Sequence, residues 1–243
     1  MRDPYVYEGT NVLINKLNIK DEKKLDEKET AYALFAIDVL KASDFEIKSI
    51  SDCLELHKQL FGDLYSWAGQ LRTIDIFKGE QLLRGKSIDY VFASYLKQAL
   101  IDLQKEFEVV NWDELSPKEK VEKVCYFVSE FWHIHPFREG NTRTSAMMLY
   151  FLIKKVGLHV NTDFLFRNGK YFRNALVLSC LYSKSKPEYL LGIVKDSASV
   201  KNVDSGKYET IEGVEVKKYA YTNHTVERLE TIKKPEDWIN KKW

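Results

Sequence analysis

Cysteine is scarce: only Cys53, Cys125 and Cys180 occur among 243 residues, far apart and in apolar helical surroundings. An odd, scattered set builds no disulfide framework and predicts reduced, buried thiols, which suits a cytoplasmic protein. An excess of either charge is also missing, with 37 Lys and Arg against 36 Asp and Glu. That balance argues against a nucleic-acid partner bound by neutralising phosphates. No apolar run is long enough to span a bilayer, and no apolar leader opens the chain, so no membrane partner is expected. Export by a route that needs no leader stays open. Internal repeats and low-complexity segments are absent too, as are further His, Cys or carboxylate pairs at the spacing of metal sites.

What is present is core-forming material. Hydrophobic residues make up 44% of the chain, enough for one large domain or a domain with an appendage. Apolar spacing predicts helices over residues 21–40, 46–61, 88–107, 116–135 and 142–156, and Pro187 opens a further one. The fold class is therefore all-α. Ser116-Pro117-Lys118-Glu119 reads as a capping box with proline at the first helical position. The texture changes near Ser197, which divides the chain into a domain of residues 1–198 and an appendage of residues 199–243. In the appendage, residues 208–221 alternate and break at Glu212-Gly213, the pattern of a β-hairpin, and a short helix starts near Lys234.

The informative stretch is His135-Pro136-Phe137-Arg138-Glu139-Gly140-Asn141-Thr142-Arg143. Pro136 stops the helix before it, because proline disfavours helical geometry in the preceding residue. The helix after it is apolar almost all round and so is expected to be central and buried. Its first turn, from Asn141 to Arg143, presents free backbone N–H groups and the positive dipole end to an anion. Gly140 permits close backbone approach, and Arg143 adds a charged fork suited to phosphate. Glu139 has the wrong sign to meet a phosphate and is better used to hold a divalent cation such as Mg²⁺ that bridges phosphates. A neutral His135 would serve as a general base toward a hydroxyl. Base, carboxylate and anion nest together describe phosphoryl or nucleotidyl transfer.

Other histidines and aromatics read more plainly. His133 lies two residues from His135 and points away from it on a helix, so it packs rather than joins a metal site. His57 and His159 lack partners in the sequence and are assigned to structure, and Trp67 and Trp132 to the core.

The run resembles the motif of the Fic/Doc family, H-x-F-x-[DE]-G-N-x-R followed by two residues and a second arginine. The resemblance continues in residues 60–69, LFGDLYSWAG, in residues 72–79, RTIDIFKG, and in Tyr7-Glu8-Gly9-Thr10-Asn11-Val12-Leu13, and it covers residues 5 to 195. It implies a helical Fic fold with a small β-hairpin flap over the active site, and transfer of AMP from ATP, with Mg²⁺, to a Ser, Thr or Tyr hydroxyl of a target protein. Under it His135 is the base, Glu139 the metal ligand, and Gly140, Asn141, Thr142 and Arg143 the nucleotide site. Phe137 anchors the loop. Lys78 and Gly79, at the turn of a hairpin running from Thr73 to Leu83, lie near the nucleotide, and Thr73, Ile74, Asp75 and Ile76 dock the target by β-augmentation. Tyr171, with Asn174 near it, is placed at the adenine.

Two positions depart from the adenylyltransferase pattern: Thr142 stands where glycine is usual, and Ala146 where the second arginine would be. They keep two alternatives open, a phosphotransferase with inverted nucleotide binding and an inactive interaction protein. No inhibitory [ST]-x-x-x-E-[GN] string is convincing, the nearest being Ser205-Gly206-Lys207-Tyr208-Glu209-Thr210. A separate antitoxin-like protein would supply that restraint, or this branch does without it.

Overall fold

The computed structural model describes residues 3–162, 165, 168–181, 185–201 and 208–210, with 199–201 and 208–210 described by backbone alone. Seven α-helices are described: α1 (Glu22–Ala42), α2 (Asp52–Phe61), α3 (Leu96–Glu108), α4 (Pro117–Ile134), α5 (Asn141–Lys155), α6 (Gly169–Ser179) and α7 (Glu188–Ser197). The helical bundle expected from the sequence is the fold.

Local chemistry sets the boundaries. Asp21 caps α1 by accepting from the Lys24 N–H at 2.8 Å, and the face bearing Leu25, Ala33, Ile37 and Leu40 is buried. The capping box opens α4 as expected, with the Ser116 side chain on the Glu119 N–H and the Glu119 carboxylate returning to the Ser116 N–H. α2 starts six residues later than the periodicity suggested. Asp52 is the cause: its carboxylate takes the Lys48 and Ser49 N–H groups at 2.8 and 2.7 Å, winding them into a turn ahead of the helix.

The start of α3 is also corrected. Residues 88–92 are in neither helix nor strand, with the Tyr90 N–H on the Ile88 carbonyl at 3.0 Å in a tight turn; Ile88 and Tyr90 are buried and Asp89 between them is exposed, which mimicked a helical face. A short 3₁₀ turn, Ala93–Tyr95, then leads into the helix.

α5 is the hub, with Met147, Met148, Leu149, Leu152 and Ile153 fully buried. α4 and α2 pack on it, which brings the ends of three helices to one place. Cys53 and Cys125 are buried and Cys180 half-buried; all three are free thiols, and burial pushes each pKa up, so none is a reactive thiolate.

A small antiparallel sheet joins β1 (His159–Val160), β2 (Ala198–Lys201) and β3 (Tyr208–Thr210) in the order β1-β2-β3. Residues 208–210 thus pair backward with β2, in the register Ser199↔Thr210 and Lys201↔Tyr208, and not only forward as the expected 208–221 hairpin required. The rest of that hairpin and the helix near Lys234 lie outside the described residues. β2 follows α7 without a break, across the boundary expected at residue 198. No described helix is long and apolar enough to cross a membrane.

Candidate active site

α4 ends where Pro136 requires it to. His135 caps the helix in the left-handed region (φ 51°, ψ 59°), and its N–H still reaches the Phe131 carbonyl. This turn points the imidazole back into the protein, where it is fully buried. The His135 Nδ1–H donates to the Trp132 carbonyl at 2.9 Å, which assigns the lone pair to Nε2. Nε2 is buried and has no hydrogen-bond partner among the described residues. Burial, together with the positive Lys78 and Arg173 nearby, holds the imidazole pKa well below its usual range, so the ring is neutral. The Tyr90 ring covers it, centroid to centroid at 4.0 Å.

The loop that follows is tied by its own side chains. The Phe137 N–H donates to Asn141 Oδ1 at 3.0 Å, and Asn141 Nδ2 returns to the Phe137 carbonyl at 2.8 Å. The Asn141 amide is therefore spent on loop geometry, and its backbone N–H is what remains for an anion. Gly140 adopts φ +84°, and a Cβ there would stand 2.5 Å from the Phe61 ring. Thr144 is the first residue whose N–H joins the α5 ladder, on the Gly140 carbonyl at 2.9 Å. The N–H groups of Asn141, Thr142 and Arg143 thus point out of the helix end, as an anion nest requires.

Glu139 lies across from the nest. Burial alone would push its carboxyl up, but the Lys78 ammonium at 2.8 Å and the Gly140 N–H at 3.0 Å outweigh this and lower its pKa to about 2. Lys78 thereby lies beside the motif loop. Among the described residues, no cluster of three His, Cys, Asp or Glu could enclose a metal.

Several neighbours of the motif were not legible in the sequence. His57 on α2 is fully buried and stacks on Phe137 at 3.7 Å and 16°. Its Nδ1 accepts from the Gly69 N–H at 2.8 Å, which leaves Nε2–H to donate to the Glu139 carbonyl at 2.9 Å. His57, assigned to structure from the sequence, is the floor on which the loop rests, and its partners come from segments the sequence did not link to it. Arg143 pairs with Glu29 from α1 and lies over the Phe61 ring at 4.8 Å, and the Tyr65 hydroxyl donates to the same glutamate. Arg72, fully buried, donates to the carbonyls of His135 and Ile74 at 2.8 and 2.7 Å and to that of Val91. Arg173 from α6 bonds Thr142 Oγ1 at 3.1 Å and Glu80 at 2.7 Å. Glu29 and Arg173 lie 114 and 31 residues from their motif partners, beyond any spacing rule.

The flap is closed by one antiparallel bridge, Glu80↔Lys86, with a 3₁₀ turn at Gln81–Leu83 and left-handed Arg84 and Gly85. The turn expected at Lys78-Gly79 is corrected to residues 81–85. Gly79 instead lies in the outgoing arm, where a Cβ would stand 3.0 Å from the Gly85 carbonyl oxygen. Thr73 and Ile74 lie in a bend and Asp75 and Ile76 follow it without regular structure, the four alternating exposed and half-buried, and Phe77 beyond them is 74% exposed. Tyr171 is half-buried on α6, one turn before Ala175 of the core.

Comparison with known proteins agrees with this geometry. Residues 48–153 match the Fic/DOC family. The chain is 31% identical over 196 residues to protein adenylyltransferase VbhT of Bartonella schoenbuchensis, covering 77% of this chain and 40% of that protein. It is 32% identical over 184 residues to the probable protein adenylyltransferase y4lH of Sinorhizobium fredii, covering 74% of this chain and 88% of that one. In three dimensions it resembles BepC of Bartonella tribocorum, a structure with bound AMPPNP, at a TM-score of 0.68 and 23% identity over 82% of this chain and 97% of that one. That last likeness concerns the fold. With a relative matched across nearly its whole length and the motif loop built as described, the chain belongs to the Fic/DOC family.

Proposed function

We propose that this chain transfers AMP from ATP to a hydroxyl of a target protein. The observation that carries the reading is the His135 imidazole: neutral, oriented by Trp132, and with an unpartnered Nε2 beside the N-terminal end of α5. The related proteins named as adenylyltransferases support it. In the step itself the target hydroxyl oxygen forms a bond to the α-phosphorus, the bond from that phosphorus to the β-phosphate oxygen breaks, and pyrophosphate leaves. His135 Nε2 takes the hydroxyl proton. The N–H groups of Asn141 to Arg143, at the positive end of the α5 dipole, stabilise charge on the phosphates.

Glu139 suits a Mg²⁺ ion of the kind that needs one carboxylate and takes its other ligands from phosphate oxygens and water, because its carboxyl is ionised. Held there, the ion would neutralise phosphate charge. The Lys78 ammonium, which pairs with Glu139 at 2.8 Å, is within reach of the same phosphates. The 73–76 segment, which is in no helix and leads to exposed Phe77, is where the target's main chain would pair. Because Nε2 is buried, a neighbouring group must move before a hydroxyl can reach it.

The test is incubation with Mg²⁺ and ATP labelled at the α- or γ-phosphate, in the presence of target-cell extract. Label from the α-position on protein, reduced about 100-fold or more in His135→Ala, is the expected result. Label from the γ-position alone would assign phosphotransfer instead, and full activity in His135→Ala would overturn the mechanism.

A further inference from the structure

We infer that Arg173 on α6 is a phosphate-binding residue of this site, supplying from a different helix a cation that α5 does not carry on the face above its first turn. The inference rests on the nucleotide reading of the site. Thr142 and Ala146 are one turn apart on the same face of α5, and Ala146 brings no charge there. Arg173 reaches that face. Its Nη1 donates to Thr142 Oγ1 at 3.1 Å, and the Trp132 indole N–H donates to the same oxygen at 3.0 Å.

The Thr142 hydroxyl is thus a fixed acceptor that holds a guanidinium beside the free N–H groups of the nest. A glycine at this position would offer Arg173 no such anchor. The side chain is one-third exposed, so a solute can reach it.

The guanidinium also has capacity to spare. Of its five N–H donors, Nε and one each on Nη2 and Nη1 are taken by Glu80 and Thr142, which leaves two. A planar fork with two donors suits a phosphate. Glu80 on the flap is buried and pairs with Arg173 through both carboxylate oxygens, so it orients the fork and balances its charge, and a phosphate would share the guanidinium with it. The same charge acts on His135, where it opposes protonation of the base.

Arg173 then senses how many phosphates a nucleotide carries. Titrating the full chain with ATP, ADP and AMP in the presence of Mg²⁺ tests this. Arg173→Gln is expected to weaken ATP binding about tenfold while changing AMP binding little, because a charge-assisted phosphate contact is lost. Glu80→Gln, which keeps the shape and frees the guanidinium, is expected to hold ATP as tightly as wild type or more so. Because Arg173→Gln leaves a buried carboxylate unpaired, the double variant Arg173→Gln with Glu80→Gln restores a neutral pair and serves as the folded reference. If that double variant binds ATP like wild type, Arg173 is only a strut and the inference is overturned. An equal loss for ATP and AMP would also overturn it. A wild-type chain that binds none of the three nucleotides would overturn the adenylyltransferase reading beneath it.

Discussion

Gly140 is the residue on which the motif loop turns, and two constraints meet there. Its φ of +84° is unfavourable for a side chain, and a Cβ would press on Phe61 at 2.5 and 2.8 Å and on His57 Nε2 at 3.0 Å. Neither neighbour can retreat, because Phe61 and His57 are buried and His57 is held at both ring nitrogens. Gly140→Ala is therefore expected to lower stability by about 1–3 kcal/mol from overpacking, with left-handed strain in addition, as read by urea denaturation. Loss of nucleotide binding should accompany it, since the adjacent N–H groups shift with the loop. Unchanged stability would mean that Phe61 moves aside. The importance of this glycine was legible from its place in the run; the pressure from Phe61 was not, because that ring arrives from a helix 79 residues earlier.

The flap and the motif loop are separate elements pinned by one buried side chain. Arg72 bonds the carbonyls of His135, Ile74 and Val91, while its N–H bonds the Pro136 carbonyl at 2.8 Å. One guanidinium thus ties the end of α4, the 73–76 segment and the stretch that bears Tyr90. Arg72→Met fills similar space but leaves three carbonyls without their donor, at about 1–3 kcal/mol for each that water does not reach. A stability loss of about 3 kcal/mol or more is expected, with proteolysis starting in the 73–91 stretch if the pin is what orders it. A loss under about 1 kcal/mol would show that water satisfies the carbonyls.

Helix identities were legible because their apolar period is strong, as in α4 and α5, and the capping box marked a true start. Boundaries failed where a side chain competed with the helix, as Asp52 does, or where a turn with buried residues mimicked it, as at Ile88 and Tyr90. The flap turn was misplaced because glycine at residue 79 looked like a corner, while its role is close approach to the backbone at Gly85.

Burial of two neutral histidines gives the whole fold a pH dependence. Burial, as the largest cause, lowers the His57 pKa from 6.5 to about 4, and His135 is lowered in the same direction. Between those values the unfolded chain takes up a proton that the folded chain refuses. The stabilisation is therefore complete above pH 6.5 and is lost as pH falls toward 4, at about 3 kcal/mol for His57. Denaturation midpoints between pH 6.5 and 5 should fall with decreasing pH, in a window above the range where Glu139, at about 2, responds. His57→Gln should reduce that slope by about one proton. An unchanged slope would place the titration elsewhere.

The amino-acid sequence alone determined the helices and the loop between α4 and α5, and so the places of His135, of Glu139 and of the free N–H groups at the start of α5. These are local properties: periodicity, a proline stop, a glycine and a helix end, all within nine residues and their flanks. Tertiary structure alone decided what surrounds that loop. His57 beneath it, Glu29 on Arg143, Arg72 behind His135, and Arg173 on Thr142 come from distant segments, and only packing around α5 brings their charges and rings within bonding distance. The reason is physical. Backbone geometry is dictated by near neighbours, whereas the field and burial that tune a base depend on every element the core draws together.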